Sequence, residues 1–492
     1  MVAALVASLL ALVASLGAAA AEADQPDVYA TVANDPVGQP MAPGFVGMSL
    51  EYGAVRAYTG NNPNAVNPVF LQLLRQLAPG QAPVLRIGGN STDYSWWPLG
   101  GVIPPGGISY ALTPQWMQTT RALANALRAH LIMGVNLAGG SPALAAAEAR
   151  AFVQVIGRNH LQALEIGNEP DLYSAFPWYR DRTGAYFYSR LHIYSLGALT
   201  SDFSRWRAAL PSAPVAGPAL AELTWLNGLP QFLSAERGLG LVTIHRYPLR
   251  GCTTDPTASN FPSLVNLLAD QSSSGVAQSV APYVAVAHAR GVGFRIDELN
   301  SVACSGKRGV SDTFASALWV LDTLFNLASV GVDGVNIHTL PGAAYEPFTF
   351  SQTRNGTWQA LVHPEYYGML MFAQAFPPGA RLLPVSSTDG PVKVWATRAS
   401  NGTVRTVLIN KDTSTAHTVQ LQMPGVGQQV ALAWLTAPSA AATSGVSYTG
   451  RSFGSETTSG RLAGATQTTR QDSLLNSYTI QLPPASAVLV TQ

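Results

Sequence analysis

Apolar positions fall into two regimes along this chain. Residues 27–34 (DVYATVAN) alternate like a half-buried strand, and from residue 45 onward apolar runs of strand length alternate with stretches of helical period. The predicted strands are 45–52, 83–88, 131–137, 161–166, 213–219, 241–245, 293–297 and 335–340. Predicted helices separate them: 65–77, with Val69, Phe70, Leu73, Leu74 and Leu77 on one face; 114–130, started at Thr113; and 142–156, capped by Ser141. Others follow at about 185–209 and 224–234, in pieces over 263–289, at 312–330 capped by Ser311, and at 364–376. Past Pro377-Pro378 the helical period stops, and short alternating runs at 392–396, 404–409, 418–423, 430–435, 478–482 and 487–490 predict a β-sandwich. The Ser/Thr/Gly/Ala-rich stretch 437–473 reads as mostly loop.

Eight strand–helix units in succession predict a closed (β/α)8 TIM barrel, an α/β fold, followed by a C-terminal all-β sandwich. An open doubly wound sheet would carry a glycine-rich phosphate loop after its first strand, where this chain has Leu50-Glu51-Tyr52-Gly53. The layout is then a leader over 1–23, an N-terminal strand within 24–42 pairing into the sandwich, a barrel over 43–377 and a sandwich over 378–492.

In a barrel every strand tip lies on one rim, and that rim is where active sites sit. Strand four stops abruptly at Gly167-Asn168-Glu169-Pro170, where the proline is expected to push Glu169 into an extended conformation. Strand seven runs Gly293-Phe294-Arg295-Ile296-Asp297-Glu298-Leu299-Asn300-Ser301 and has the same design. Two carboxylates at two strand tips are the minimum equipment for hydrolysing a glycosidic bond, and at about 5–5.5 Å separation the reaction retains anomeric configuration. Other polar residues crowd the rim: Glu51, Asn90, Asp93, Asn136, Asn168, His245, Tyr247, His338 and Tyr345. Glu51 and Asp93 read as sugar-hydroxyl binders or as partners of Arg86. His245 is either a substrate ligand or a packed histidine, and Trp96 with Trp97 either a sugar platform or wall packing. No metal or cofactor is expected, because His245 and His338 lack the short helical spacing of a zinc site.

Charge narrows the partners. Lys+Arg 28 against Asp+Glu 27 leaves a net charge of +1, which offers no footprint for nucleic acid or a membrane surface. Residues 1–21 are apolar or small without a break and end in alanines, as in a cleaved secretory signal peptide, although no Lys or Arg precedes Arg56. The mature protein is then expected to be secreted or periplasmic, free of the membrane, and a monomer. In an exported protein the only two cysteines, Cys252 and Cys304, predict a disulfide between the loops after strands six and seven.

The pairing of a strand-four Asn-Glu-Pro with a strand-seven Glu resembles glycoside hydrolase clan A, whose members are retaining (β/α)8 enzymes. Asp297-Glu298-Leu299-Asn300-Ser301, Ser311-Asp312-Thr313-Phe314 and Trp319-Val320-Leu321-Asp322 are similar to family 79, which holds heparanases and exo-β-glucuronidases. Further matches are Leu85-Arg86-Ile87-Gly88-Gly89 with Thr92-Asp93, His245-Arg246-Tyr247 and Gly342-Ala343-Ala344-Tyr345. The resemblance covers the barrel and, more weakly, the sandwich. It implies Glu169 as acid/base, Glu298 as nucleophile, Asn168 on the sugar 2-hydroxyl and Tyr247 orienting the nucleophile. Tyr345 and backbone groups after strand seven would hold the glucuronate carboxylate. Heparanases carry a Tyr and a glycine run after the nucleophile, where this chain reads Ala303-Cys304-Ser305-Gly306-Lys307-Arg308. The basic clusters that grip a sulfated polymer are also not evident. The resemblance therefore implies an exo-acting, bacterial-type β-glucuronidase whose substrate is a glucuronide or a glucuronic-acid-containing oligosaccharide. A clan A glycosidase for a neutral sugar (xyloside, arabinofuranoside or glucoside) and a non-catalytic carbohydrate-binding barrel are the alternatives.

Overall fold

The computed structural model describes residues 25–425, 429–474 and 477–492; the leader lies outside them. Parallel strands Val46–Glu51, Val84–Gly88, His130–Val135, Leu161–Ile166, Val215–Leu220, Leu241–Arg246, Gly293–Leu299 and Gly334–Thr339 close into one barrel, each beside its neighbour in sequence and the last beside the first. They are referred to as strands one to eight. Both faces of each strand are covered, so the runs are almost uniformly buried and read as continuous apolar segments. The exceptions include charges set inside the barrel, among them Arg86, Glu165 and Asp297, all fully buried.

Strand ends fall within two residues of the predicted ones; several helices do not. A helix over Tyr52–Thr59 follows strand one directly, and the predicted 142–156 helix is α-helical over Pro142–Ala151 before a π-helical turn over Phe152–Gly157. The helix predicted from 185 begins only at Leu196, and a short hairpin of Tyr179–Arg180 with Tyr186–Phe187 occupies the residues before it. Ser311 does not cap its helix. Its hydroxyl is bonded to Ser301 and to the Lys307 N–H, while the first N–H groups of Phe314–Ser329 donate to the carbonyls of Ala442 and Ala440 at 2.8 and 2.9 Å. The 437–473 stretch thus supplies acceptors that a helix N-terminus lacks. It also seats Phe453 between Tyr366 and Tyr367, at ring distances of 5.5 and 5.2 Å.

The sandwich stacks two sheets. In the smaller, Val28–Val32 runs antiparallel to Val385–Ser387 and parallel to His417–Gln422, which pairs with Tyr478–Leu482. The larger is centred on Val404–Asn410, Ser486–Thr491 and Gln429–Thr436. It meets the barrel through a buried ion pair, Lys411 Nζ to Asp322 Oδ2 at 2.5 Å, beside Trp395 stacked on Phe325 at 5.5 Å. Among the described residues no helix is long and apolar enough to cross a membrane.

Glu148, on the Pro142–Ala151 helix, is fully buried beneath the end of strand three and accepts the Asn136 N–H at 3.2 Å. Burial pushes its pKa up to about 8 against the pull of that bond. In the unfolded chain the group ionises near 4.5, so between about pH 4.5 and 8 the folded state binds more protons and stability falls as pH rises. Glu148→Gln is expected to remove up to about 5 kcal/mol of this dependence. The loss of melting temperature between pH 5 and pH 8 should shrink in the variant; an unchanged loss would show that Glu148 does not carry it.

Candidate active site

Strands four and seven deliver their glutamates to one cleft of about 460 Å³ at the C-terminal mouth of the barrel. One carboxylate oxygen of Glu169 and one of Glu298 lie within 4.8 Å of each other, with His245 completing the group. Glu169 is not extended. It stands at φ +50, ψ +51, with its N–H donating to the Ala219 carbonyl of strand five at 2.9 Å. Pro170 favours extended backbone for the residue before it, and against that preference the bond to strand five accompanies a left-handed conformation. An ordinary residue held there is strained, as functional residues often are.

Strand seven reaches the cleft through a bulge. Ile296 pairs with Ile244 and Glu298 with His245, so Asp297 is an extra residue with no partner on strand six. Strict alternation would point Asp297 and Glu298 to opposite faces, yet both meet the Arg86 guanidinium, at 3.4 and 2.6 Å.

Arg86 is the hub of the site. From strand two, fully buried, its Nε donates to Glu165 at 2.7 Å, and Nη1 to Glu298 at 2.6 Å and to Ser49 at 3.2 Å. Its Nη2 contacts Asn168 Oδ1 at 2.9 Å and His245 Nε2 at 3.0 Å. A guanidinium can only donate, so two orientations follow. The Asn168 carbonyl oxygen faces Arg86, leaving its amide NH2 toward Asn90, 3.2 Å away. His245 Nε2 accepts, so its proton sits on Nδ1 and is donated to Glu169 at 3.0 Å. Burial and Arg86 push the imidazole pKa down, but Glu298 and Glu169 outweigh them and raise it; the Nδ1 tautomer is that of the neutral ring, and a second proton, when gained as pH falls, sits on Nε2. The triads Glu165–His245–Asp297 and Glu169–His245–Glu298 have spacings that suit a metal, but Arg86 supplies positive charge to both.

Both oxygens of Glu298 are held, one by Arg86 and the other by the Tyr247 hydroxyl at 2.8 Å. Burial alone would raise its pKa; His338, His245, Arg86 and the Tyr247 bond outweigh it and hold the carboxyl well below the usual range. Behind it, burial and the neighbouring Glu165 push Asp297 far up. Tyr345 is buried beside Tyr247, ring centroids 6.2 Å apart, and burial raises its pKa so that the hydroxyl stays a donor.

Glu51 and Asp93 line the cleft, but neither contacts Arg86. Glu51 accepts the N–H groups of Asn90 and Ser91 at 3.0 and 2.8 Å and the Ser91 hydroxyl. Asp93 accepts the N–H groups of Leu137 and Ala138, both at 3.1 Å, and the Tyr173 hydroxyl at 2.6 Å; burial pushes its pKa up to about 6 against those bonds. Trp97 packs against the core, and the aromatic residues that line the cleft include Tyr94, Phe176 and Trp178 as well as Tyr173, Tyr247 and Tyr345.

The predicted disulfide is absent. Cys252 and Cys304 do lie in adjacent rim loops, but both are free, with sulfurs 3.7 Å apart where a bridge needs about 2.05 Å. The parallel ladder of Leu249–Arg250 with Val302–Ala303 sets the loop spacing without a covalent link.

A closed (β/α)8 barrel with paired carboxylates at this separation on its C-terminal rim defines a glycoside hydrolase. Residues 394–489 match the glycosyl hydrolase family 79 C-terminal beta domain. A β-glucuronidase of Neurospora crassa is 26% identical over 420 residues, which span 75% of this chain and 72% of that protein. Among solved structures, a 4-O-α-L-rhamnosyl-β-D-glucuronidase from Fusarium oxysporum 12S superposes with a TM-score of 0.71 at 21% identity, covering 94% of this chain and all of that one. The GH51 arabinofuranosidase of Xanthomonas axonopodis pv. citri shares the fold at a TM-score of 0.68 and 16% identity, over 95% of this chain and all of that one. By these matches the chain is similar to family 79 glycoside hydrolases in its C-terminal β domain and to a β-glucuronidase over three quarters of its length.

Proposed function

We propose that the protein is a retaining β-glucuronidase that releases terminal β-linked glucuronic acid by double displacement. The observation that carries this reading is the pair Glu169 and Glu298, with oxygens within 4.8 Å and Glu298 held ionised in a buried cage of donors. Glu298 attacks the anomeric carbon while Glu169 protonates the departing oxygen; Glu169 then takes a proton from the water that releases the sugar. The Asn168 amide, oriented by Arg86, donates to the sugar 2-hydroxyl, and Tyr247 aims the nucleophile. Glu51 and Asp93 border the bound sugar.

The relatives named as β-glucuronidases support glucuronate as the sugar, and the site offers groups suited to its carboxylate. The Tyr345 hydroxyl is one donor. Beside it Cys304, Ser305 and Gly306 stand at φ +66, +66 and +82, a tight turn of which Cys304 and Ser305 line the same cleft. A neutral sugar would leave buried donors there unpaired, which costs transition-state binding. Matched aryl β-glucuronide, β-glucoside and β-xyloside substrates test the reading: turnover of the glucuronide alone is expected, and a preference for a neutral glycoside would overturn it. Tyr345→Phe is expected to lower kcat/KM for the glucuronide at least about tenfold more than for any residual glucoside activity. An equal loss on both would remove Tyr345 from carboxylate recognition. The apolar leader and the net charge of +1 favour a secreted or periplasmic monomer that acts without nucleic acid or membrane, with the barrel over 43–377 and the sandwich over 24–42 and 378–492.

A further inference from the structure

The Glu169 side of the cleft carries a positive charge that the chemistry described so far does not use. Arg246, the last residue of strand six, lines the cleft, and its guanidinium is mostly buried. Its hydrogen bond among the described residues is to the Ala221 carbonyl at 3.5 Å, at the limit of such a bond, and its buried Nε has no partner there. The acids nearby are committed elsewhere. Glu222 is paired with Arg250 at 2.6 Å, Asp171 accepts the N–H groups of Ala221 and Glu222 at 3.2 and 2.7 Å, and Glu169 is bonded to His245. Two guanidiniums therefore share one surface carboxylate. A desolvated guanidinium with so weak a set of partners is costly, and the fork of donors on it matches a carboxylate.

Its place in the reaction follows from Glu169. The acid that protonates the departing oxygen has to face the leaving group. Its backbone is bonded to Ala219 of strand five, and Ala221, two residues on, meets Arg246. The same cleft is lined by Phe176, 62% exposed, and by Trp178, fixed by its indole N–H to the Asp93 carbonyl at 3.2 Å and its backbone N–H to the Phe187 carbonyl at 2.7 Å. Aromatic rings and cations lining one cleft suit a ring that bears a negative group.

We propose that this side of the cleft is an anion subsite for the leaving group, in which Arg246, supported by Arg250, binds a carboxylate carried on a ring. This rests on the glucuronidase reading for the identity of the sugar but not for the placing of the leaving group. The ring is either an aromatic acid or a second uronic acid, and the two are told apart by substrate.

The test compares aryl β-glucuronides bearing a meta-carboxylate with the matching methyl esters, and β-glucuronyl-uronic acid disaccharides with their neutral-hexose counterparts. At low salt the carboxylated member of at least one pair is expected to have a kcat/KM about tenfold higher, shrinking as ionic strength rises. A preference confined to the aryl or to the disaccharide pair identifies the source of the carboxylate. Arg246→Gln should bring the ratio toward one, Arg246→Lys should keep part of it, and Arg250→Gln should reduce it less than Arg246→Gln. Melting temperatures establish that the variants fold. A ratio near one in the unaltered protein, or one that Arg246→Gln leaves in place, overturns the subsite. Absence of glucuronide turnover overturns the sugar assignment instead. The same comparison is then made on whichever neutral glycoside is cleaved, where a ratio near one again overturns the subsite.

Discussion

Glu298→Ala is expected to abolish turnover of every glycoside, whereas Glu169→Ala is expected to spare the first step for substrates whose leaving groups need no proton. The difference follows from what holds each acid. Glu298 is clamped by Arg86 at 2.6 Å and Tyr247 at 2.8 Å, contacts that position a charged nucleophile and cannot be supplied by a small anion. Among the described residues the Glu169 side chain is bonded only to His245, at 3.0 Å, and it lines the cleft, where the role proposed for it is proton transfer. Such transfer contributes about 10²–10⁴-fold. With a 2,4-dinitrophenyl leaving group, Glu169→Ala should therefore accumulate the glycosyl-enzyme, because no base activates water for its release. Added azide needs no base and should restore turnover, giving a β-glycosyl azide after two inversions. On Glu298→Ala azide can only replace the nucleophile itself, and any product formed should be the α-azide after one inversion. NMR of the anomeric proton distinguishes the products. An α-azide from Glu169→Ala, or a β-azide from Glu298→Ala, would exchange the two roles.

Much of this site was legible in the sequence because strand tips are. An apolar run that stops at Gly-Asn-Glu-Pro declares both its end and its last side chains, and strand four occupies Leu161–Ile166 as predicted. Glu169, Glu298, Asn168, Tyr247 and Tyr345 accordingly meet in one cleft. What pattern reading cannot see is geometry that breaks the pattern. The bulge at Asp297 turns two successive acids toward one guanidinium, and period-two alternation denies that arrangement. The left-handed backbone of Glu169 depends on a bond to Ala219, fifty residues downstream. Arg86 was visible only as a possible partner of Glu51 or Asp93, although a signal existed: Arg86, Glu165 and Asp297 each interrupt an otherwise apolar strand, and charges buried in one barrel have to neutralise one another. Glu51 and Asp93 were legible as rim acids but not as acceptors of backbone N–H groups, because those donors belong to loops whose course no periodicity reports. The aromatic residues Phe176 and Trp178 escaped for the same reason.

Arg86→Met is expected to damage stability and catalysis together, with a pH signature that separates the two. The substitution keeps most of the side-chain volume but leaves Glu165 and Glu298 without their closest cation, from contacts of 2.7 and 2.6 Å. Removing one partner of a buried ion pair typically costs about 3–5 kcal/mol, which a fall of several degrees in melting temperature would register. A scaffold role would end there. If Arg86 also sets the charge of the nucleophile, the acid limb of kcat/KM has to move. Glu298 is active only when ionised, so activity is lost as pH falls through its pKa. Arg86 is one of the groups holding that pKa below the usual carboxylate range, together with His338, His245 and Tyr247. Without the guanidinium, uncompensated burial raises it, and the acid limb should shift upward by about one pH unit or more. Arg86→Lys keeps a point charge but not the fork that reaches Glu165, Glu298, Asn168 and His245 at once, so it should return part of the acid limb and less of kcat. A lowered melting temperature with an unmoved acid limb in both variants would reduce Arg86 to a structural strut and leave the charge of Glu298 to the two histidines and Tyr247.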